Sequence, residues 1–143
     1  MNVAAILKAK GRLVTTARAD ETIEEVARKM AAKRIGAVVI VGEGGGVQGI
    51  LSERDIVRHI GEKGAEVLRR PASDLMTKSV ITCAESNSLE EMMGVMTQGR
   101  FRHVPVVSEG QLVGIVSIGD VVKHHIAEVE LEVMAMREYL ATG

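Results

Sequence analysis

A chain of 143 residues with 46% hydrophobic and 26% charged residues has the composition of a folded domain with a sizeable core, which excludes a disordered protein. A net charge of −1 with both signs interspersed supplies no basic field for a nucleic-acid duplex, and a single Phe and a single Tyr give no stacking platform for unpaired bases. Cys83 is the lone cysteine, so neither an intrachain disulfide nor a cysteine-based zinc site is available. Residues 1–8 lack the basic start and long apolar stretch of a secretion signal, and no apolar run reaches the roughly 18 residues of a membrane helix. A cytoplasmic protein is expected.

In chain order, an N-terminal helix leads to a short extended stretch ending at Thr16. Thr22 then stands as an N-cap with Glu25 three residues on, the spacing of a capping box. Ile23, Val26, Ala27 and Met30 follow at i, i+3, i+4 and i+7, one face of an amphipathic helix. Residues 37–41 and 47–51 are apolar and β-rich, which predicts strands covered on both faces. Between them, Gly42-Glu43-Gly44-Gly45-Gly46 lacks the Lys-Ser/Thr ending of a phosphate loop and precedes a strand, so it reads as a hairpin turn. A second helix begins after Ser52, and a short polar link around Arg70-Pro71-Ala72-Ser73 follows.

The same run then recurs. An extended stretch ends at Thr82; Ser88 and Glu91 open a helix whose apolar face is Leu89, Met92, Met93 and Met96. Residues 104–107 and 112–116 read as strands joined at Ser108-Glu109-Gly110, and a helix begins after Ser117. Thr22 and Ser88 are 66 residues apart, Gly49 and Gly114 are 65 apart, and one extra residue in the first glycine-rich turn accounts for the difference. The eight methionines are packing residues, and Cys83 follows a core strand as an inert thiol. His59, His124 and His125 are helical and expected to face solvent, and adjacent histidines on a helix make a poor chelate, so no metal is expected. Beyond the second copy, Val122, Ile126, Val129, Val133, Met136 and Leu140 are spaced 4, 3, 4, 3, 4, a seam suited to a second subunit. Two copies so closely joined are expected to pack about a pseudo-two-fold axis, leaving two related clefts.

The paired Gly-h-h-Ser-x-x-Asp elements (h, apolar) resemble CBS (cystathionine β-synthase-type) motifs. Arg102-His103-Val104-Pro105-Val106-Val107 in the second copy adds to the likeness, as does Arg34-Ile35-Gly36-Ala37-Val38-Val39 with Ser52-Glu53-Arg54-Asp55 in the first. The resemblance covers residues 1–128 and is to stand-alone bacterial CBS pairs, or Bateman modules. It implies an α/β (α+β) fold of two β-α-β-β-α motifs about a pseudo-two-fold axis. Residues 1–68 would form motif one with an N-terminal helix, 69–128 motif two, and 129–143 a C-terminal helical tail. It further implies a homodimer without catalytic machinery. As a regulatory, signal-transduction module it would bind adenine nucleotides (AMP, ADP, ATP or NAD(H)) or S-adenosylmethionine and modulate an unidentified partner protein, with no nucleic acid, membrane or metal involved.

In such proteins the Asp of Ser-x-x-Asp holds the ribose hydroxyls, its Ser and nearby cations hold phosphate, and the flanking strands present backbone to adenine. Carried across, these roles fall on Thr16, Gly36, Ala37, Val38, Ser52 and Asp55, and on Thr82, Arg102, His103, Val104, Pro105, Ser117 and Asp120. Arg100 stands beside the second set; Lys33, Arg34 and Arg54 are the phosphate candidates in the first. The chemistry stands without the family: a carboxylate accepts from two adjacent hydroxyls, and a helix N-terminus attracts phosphate.

Ser52-x-x-Asp55 and Ser117-x-x-Asp120 also satisfy a simple capping box. Both second helices carry Asp where both first helices carry Glu, and each corner ends a strand where a cleft opens, which favours nucleotide contact alongside capping. Ala37 and Val39 stand where the second copy has His103 and Pro105, and Glu53-Arg54 where it has Ile118-Gly119, so the clefts are expected to differ in affinity or ligand. The alternative is a ligand-free scaffold or dimerisation module; an enzyme would need a base, nucleophile or carboxylate cluster that the chain does not offer.

Overall fold

The computed structural model describes residues 1–142. It runs α1 (Val3–Lys10), β1 (Thr16–Ala17), α2 (Ile23–Lys33), β2 (Ala37–Val41), β3 (Val47–Ser52), α3 (Glu53–Lys63), a 3-10 turn (Ala65–Arg69), α4 (Ala72–Leu75), α5 (Leu89–Gly99), β4 (His103–Ser108), β5 (Gln111–Ser117) and α6 (Ile118–Thr142). Helix starts follow from the capping residues. The Thr22 and Ser88 hydroxyls accept the N–H groups of Glu25 and Glu91 at 3.2 and 3.1 Å, satisfying donors that have no partner within the helix. Both helices end on an arginine, Arg34 and Arg100, in the left-handed region (φ 54° and 57°).

In the first copy β1 runs parallel to β2, Thr16 facing Val39, and β2 pairs antiparallel with β3, Val39 facing Ile50. In the second, β4 pairs antiparallel with β5, and Cys83 bridges Val106 where the first copy has a short strand. Gly42–Gly46 closes the β2–β3 hairpin through the Gly42 N–H bound to the Gly46 carbonyl at 3.0 Å. Four of the five β2 residues are buried, but burial along β3 and β5 alternates. The expected two-sided cover of every strand is therefore corrected: successive side chains of a strand point to opposite faces, and β3 and β5 bury one face while the other stays partly open.

Each copy has its own core, and each core is completed by the helix that precedes the other copy. Ala72 and Leu75 of α4 join Ile23, Val26, Met30, Val38, Ile40 and Leu51. Val3, Ile6 and Leu7 of α1 join Leu89, Met92, Met96, Val104, Val106, Val116 and Val121. Although α1 precedes the first copy in sequence, it packs in space on the second. These three α1 side chains are at most 1% exposed, and burying each contributes roughly 1.5–3 kcal/mol. The exchange is pseudo-symmetric at the caps as well: Asn2 bridges Ser88, and Pro71 bridges Thr22.

Helix α6 continues through residues 128 and 129 without a break, so the second-copy helix and the tail are one element of 25 residues, roughly 37 Å long. Its seam residues are 38–70% exposed, and every residue from Val129 to Thr142 is exposed. His59, His124 and His125 are half-buried rather than solvent-facing, because α3 and the first turns of α6 lie against their neighbours.

Candidate functional site

The two strand-to-helix corners are built alike. At the first, Asp55 Oδ2 accepts from the Ser52 N–H at 3.1 Å and the Ser52 hydroxyl at 2.9 Å, while Ser52 Oγ accepts from the Asp55 N–H at 3.2 Å. At the second, Asp120 Oδ2 accepts from the Ser117 N–H at 2.9 Å and Ser117 Oγ accepts from the Asp120 N–H at 3.1 Å. Each α-helix is further tied to the other strand of its hairpin: the Glu53 N–H donates to the Gly36 carbonyl and the Ile118 N–H to the Arg102 carbonyl. The capping boxes are thus present, and each holds a carboxylate at the end of a strand.

Asp55 lines a cavity of about 670 Å3 between the copies. Copy one contributes Gly36, Ser52, Arg54 and Asp55 from the expected set; copy two contributes Arg100, Arg102 and His103. The cavity therefore combines residues whose roles were assigned to separate copies. Thr16, Lys33, Ala37, Val38, Thr82, Val104, Pro105, Ser117 and Asp120 do not line it. Ala37, Val38, Val104 and Pro105 are buried strand residues, Lys33 and Thr82 are exposed, and the Thr16 carbonyl accepts from Lys29 at 3.1 Å. Arg34 lies on a separate groove of about 420 Å3 between α2 and α3.

Sequence reasoning missed Arg58, Thr77, Ser79, Val80, Phe101, Ile50 and Glu53, all of which line the cavity. Arg58 follows Asp55 by three residues, a spacing that places both on one helical face. Thr77 was findable only from the fold, since its N–H and carbonyl pair with Ile50 across the copies at 2.9 and 3.0 Å.

Arg54, Arg58, Arg100 and Arg102 set four guanidinium groups against the carboxylates of Glu53 and Asp55, so the lining carries an excess of positive charge. Asp55 Oδ1 meets Arg58 at 3.3 Å, a contact made by an exposed side chain. His103 packs against the first copy at Gly36, where a Cβ would lie 3.6 Å from the imidazole Cε1 and 3.4 Å from Glu53 Oε1. Burial, aided by Lys10, holds the His103 imidazole below its ordinary pKa, against the opposing pull of Asp120 and Glu53. At Asp120 burial favours the neutral acid, but hydrogen bonds from Lys10 and Ser117 outweigh it and keep the carboxyl below its ordinary pKa. Burial pushes the Cys83 thiol up to about 11, which suits an unreactive group.

Among the described residues, no group of three His, Cys, Asp or Glu side chains is placed to hold a metal ion, and no helix is long and apolar enough to cross a membrane. A CBS-domain protein of Agrobacterium tumefaciens is 45% identical over 87% of this chain and 99% of its own, with a TM-score of 0.84. The CBS domain pair of the protein MJ0100, solved in complex with 5′-methylthioadenosine and S-adenosyl-L-methionine, is 26% identical over 90% of this chain and 98% of its own, with a TM-score of 0.79. Hypoxic response protein I of Mycobacterium tuberculosis, solved with two coordinated zinc ions, is 32% identical over 87% of this chain and 98% of its own, with a TM-score of 0.73. The CBS domain profile itself matches residues 12–62 and 72–126. With a duplicated motif, two interlocked cores and a cleft between them, the chain belongs to the CBS domain family and is a CBS-pair regulatory module, in a family generally regulatory rather than catalytic.

Proposed function

We propose that the cavity binds an adenosine nucleotide, AMP, ADP, ATP or NAD(H), and that the bound state is read by a partner protein. The observation that carries this is the placement of Asp55, at a capped helix N-terminus, in a cleft lined by four arginines drawn from both copies. A carboxylate suits two vicinal ribose hydroxyls, the guanidinium groups suit phosphate, and Ile50, Val80 and Phe101 offer apolar surface to the base. The adenosyl ligands of MJ0100 support the ligand class. Because the cleft is walled by both copies, a ligand that favours one relative placement shifts the pair towards it, and a protein that distinguishes the placements reads the change. We assign the protein to the cytoplasm, on the reading of its lone, unpaired cysteine.

Thermal melting with AMP, ATP, NADH and S-adenosylmethionine tests the class, since a ligand that binds only the folded state at 100 times its Kd stabilises by about 2.7 kcal/mol. Asp55→Asn, which retains a capping oxygen, should weaken the bound nucleotide about 10- to 100-fold, or about 1.5–3 kcal/mol, in calorimetry. Unaltered affinity in this variant removes Asp55 from the site; no shift with any adenosyl compound leaves the scaffold reading.

A second role as a homodimer is favoured by α6. Its last four turns are exposed, yet an isolated helix of that length is marginal in water, and its apolar seam offers the packing that would stabilise it in a pair.

A further inference from the structure

The pseudo-symmetry predicts a second cleft at the other corner, around Asp120, and there the aspartate is held by a cation that the first corner lacks. Lys10, the last residue of α1, donates from Nζ to Asp120 Oδ2 at 2.7 Å and to the Ile115 carbonyl at 3.1 Å. Leu7 of α1 and Met76 after α4 are counterparts, each lodged against the matching glycine, Gly114 or Gly49, where a Cβ would lie only 2.6 Å away; three residues beyond Met76, at the place of Lys10, stands Ser79, which carries no charge and lines the Asp55 cavity. The ion pair of Asp55 is instead with the exposed Arg58, at 3.3 Å and from its own helix. A single long contact from an exposed guanidinium is readily exchanged for a ligand hydroxyl, whereas an ammonium held at two points on a folded helix is not.

Building on the adenosyl reading above, we infer that Lys10 decides which of the two clefts takes the ligand: it occupies the carboxylate of the second corner and leaves the first to bind. The residue acts from α1, an element that packs on the second copy through Val3, Ile6 and Leu7, so the ammonium is delivered by the core rather than by a loose tail. The second corner also has Gly119 and Ile118 where the first has Arg54 and Glu53, which leaves its carboxylate with Lys10 as the close cation.

The test replaces Lys10 by methionine, which keeps most of the side chain's length and removes its charge. Calorimetry with AMP should give one site per chain in the natural protein and two in Lys10→Met, the new site at least tenfold tighter than any second binding in the natural protein. The double variant Lys10→Met/Asp120→Asn should return to one site. Two equal sites in the natural protein, one site in Lys10→Met, or a loss of AMP binding on removing Lys10 would each overturn the inference, the last by making Lys10 a ligand holder. Lys10 is partly exposed at a helix end, and Lys10→Gln provides a polar control for the fold. Failure of every protein to bind AMP, ATP, NADH or S-adenosylmethionine overturns the adenosyl reading and the inference with it, an outcome distinct from a single persistent site.

Discussion

His103 shows how one side chain can link two corners. It lies against Gly36 and within the field of Glu53 on α3, Asp120 on α6, Lys10 on α1 and Arg102 beside it. Its folded pKa is lowered, chiefly by burial, so below the ordinary value of 6.5 the unfolded chain takes up a proton that the folded chain resists. Stability from this group is therefore complete above about pH 6.5 and declines as pH falls from there towards the folded pKa. Melting temperature measured between pH 5 and 7.5 should fall on the acid side in the natural protein, and less steeply in His103→Gln. An identical slope in the two proteins would place the titration elsewhere. The same side chain occupies the position that the first copy fills with Ala37, so the imidazole lining the Asp55 cleft has no histidine counterpart in the first copy.

Among the elements, α2 and α5 carry matched local signals and matched geometry. Thr22 and Ser88 each receive an N–H three residues along, and Glu25 returns the bond to the Thr22 N–H at 3.4 Å. At the second cap, Glu91 instead accepts from the Asn87 side chain. Thr22→Ala and Ser88→Ala should each cost about 1 kcal/mol in denaturant unfolding, the loss expected of a single N-cap. A near-zero change at Ser88 would show that Asn87, which also caps the Ala84 N–H at 2.7 Å, takes over the start of α5. The strands obey a different logic. β2 and β4 lie within the core, while the hairpin partners β3 and β5 end in the Ser-x-x-Asp corners and keep one face towards solvent or cleft.

The whole molecule is held by exchange: each short helix before a copy closes the core of the other. A single copy cut at its sequence boundaries would leave an apolar face open, which ties the two motifs into one folding unit. Helix α6 is the exception, since its last turns add nothing to either core. A chain ending after Ala127 should therefore melt as the full chain does at the monomer level, while sedimentation shows weaker self-association. An unchanged dimer would remove α6 from the interface.

The pattern of apolar residues, caps and turns was legible along the chain because it is local: period 3.6 marks α2 and α5, paired Ser-x-x-Asp elements mark the corners, and glycine-rich turns mark the hairpins. The repeat made the duplication, and with it the pseudo-two-fold arrangement, readable from spacing alone. Which residues share a cleft was not readable, because Asp55 meets Arg100, Arg102 and His103 only after the copies interlock. Nor was the role of α1, whose Lys10 lies 110 residues from Asp120 in sequence. Sequence periodicity reports which face of an element is apolar; it carries no record of which distant element will cover that face, and the tertiary packing alone settles that.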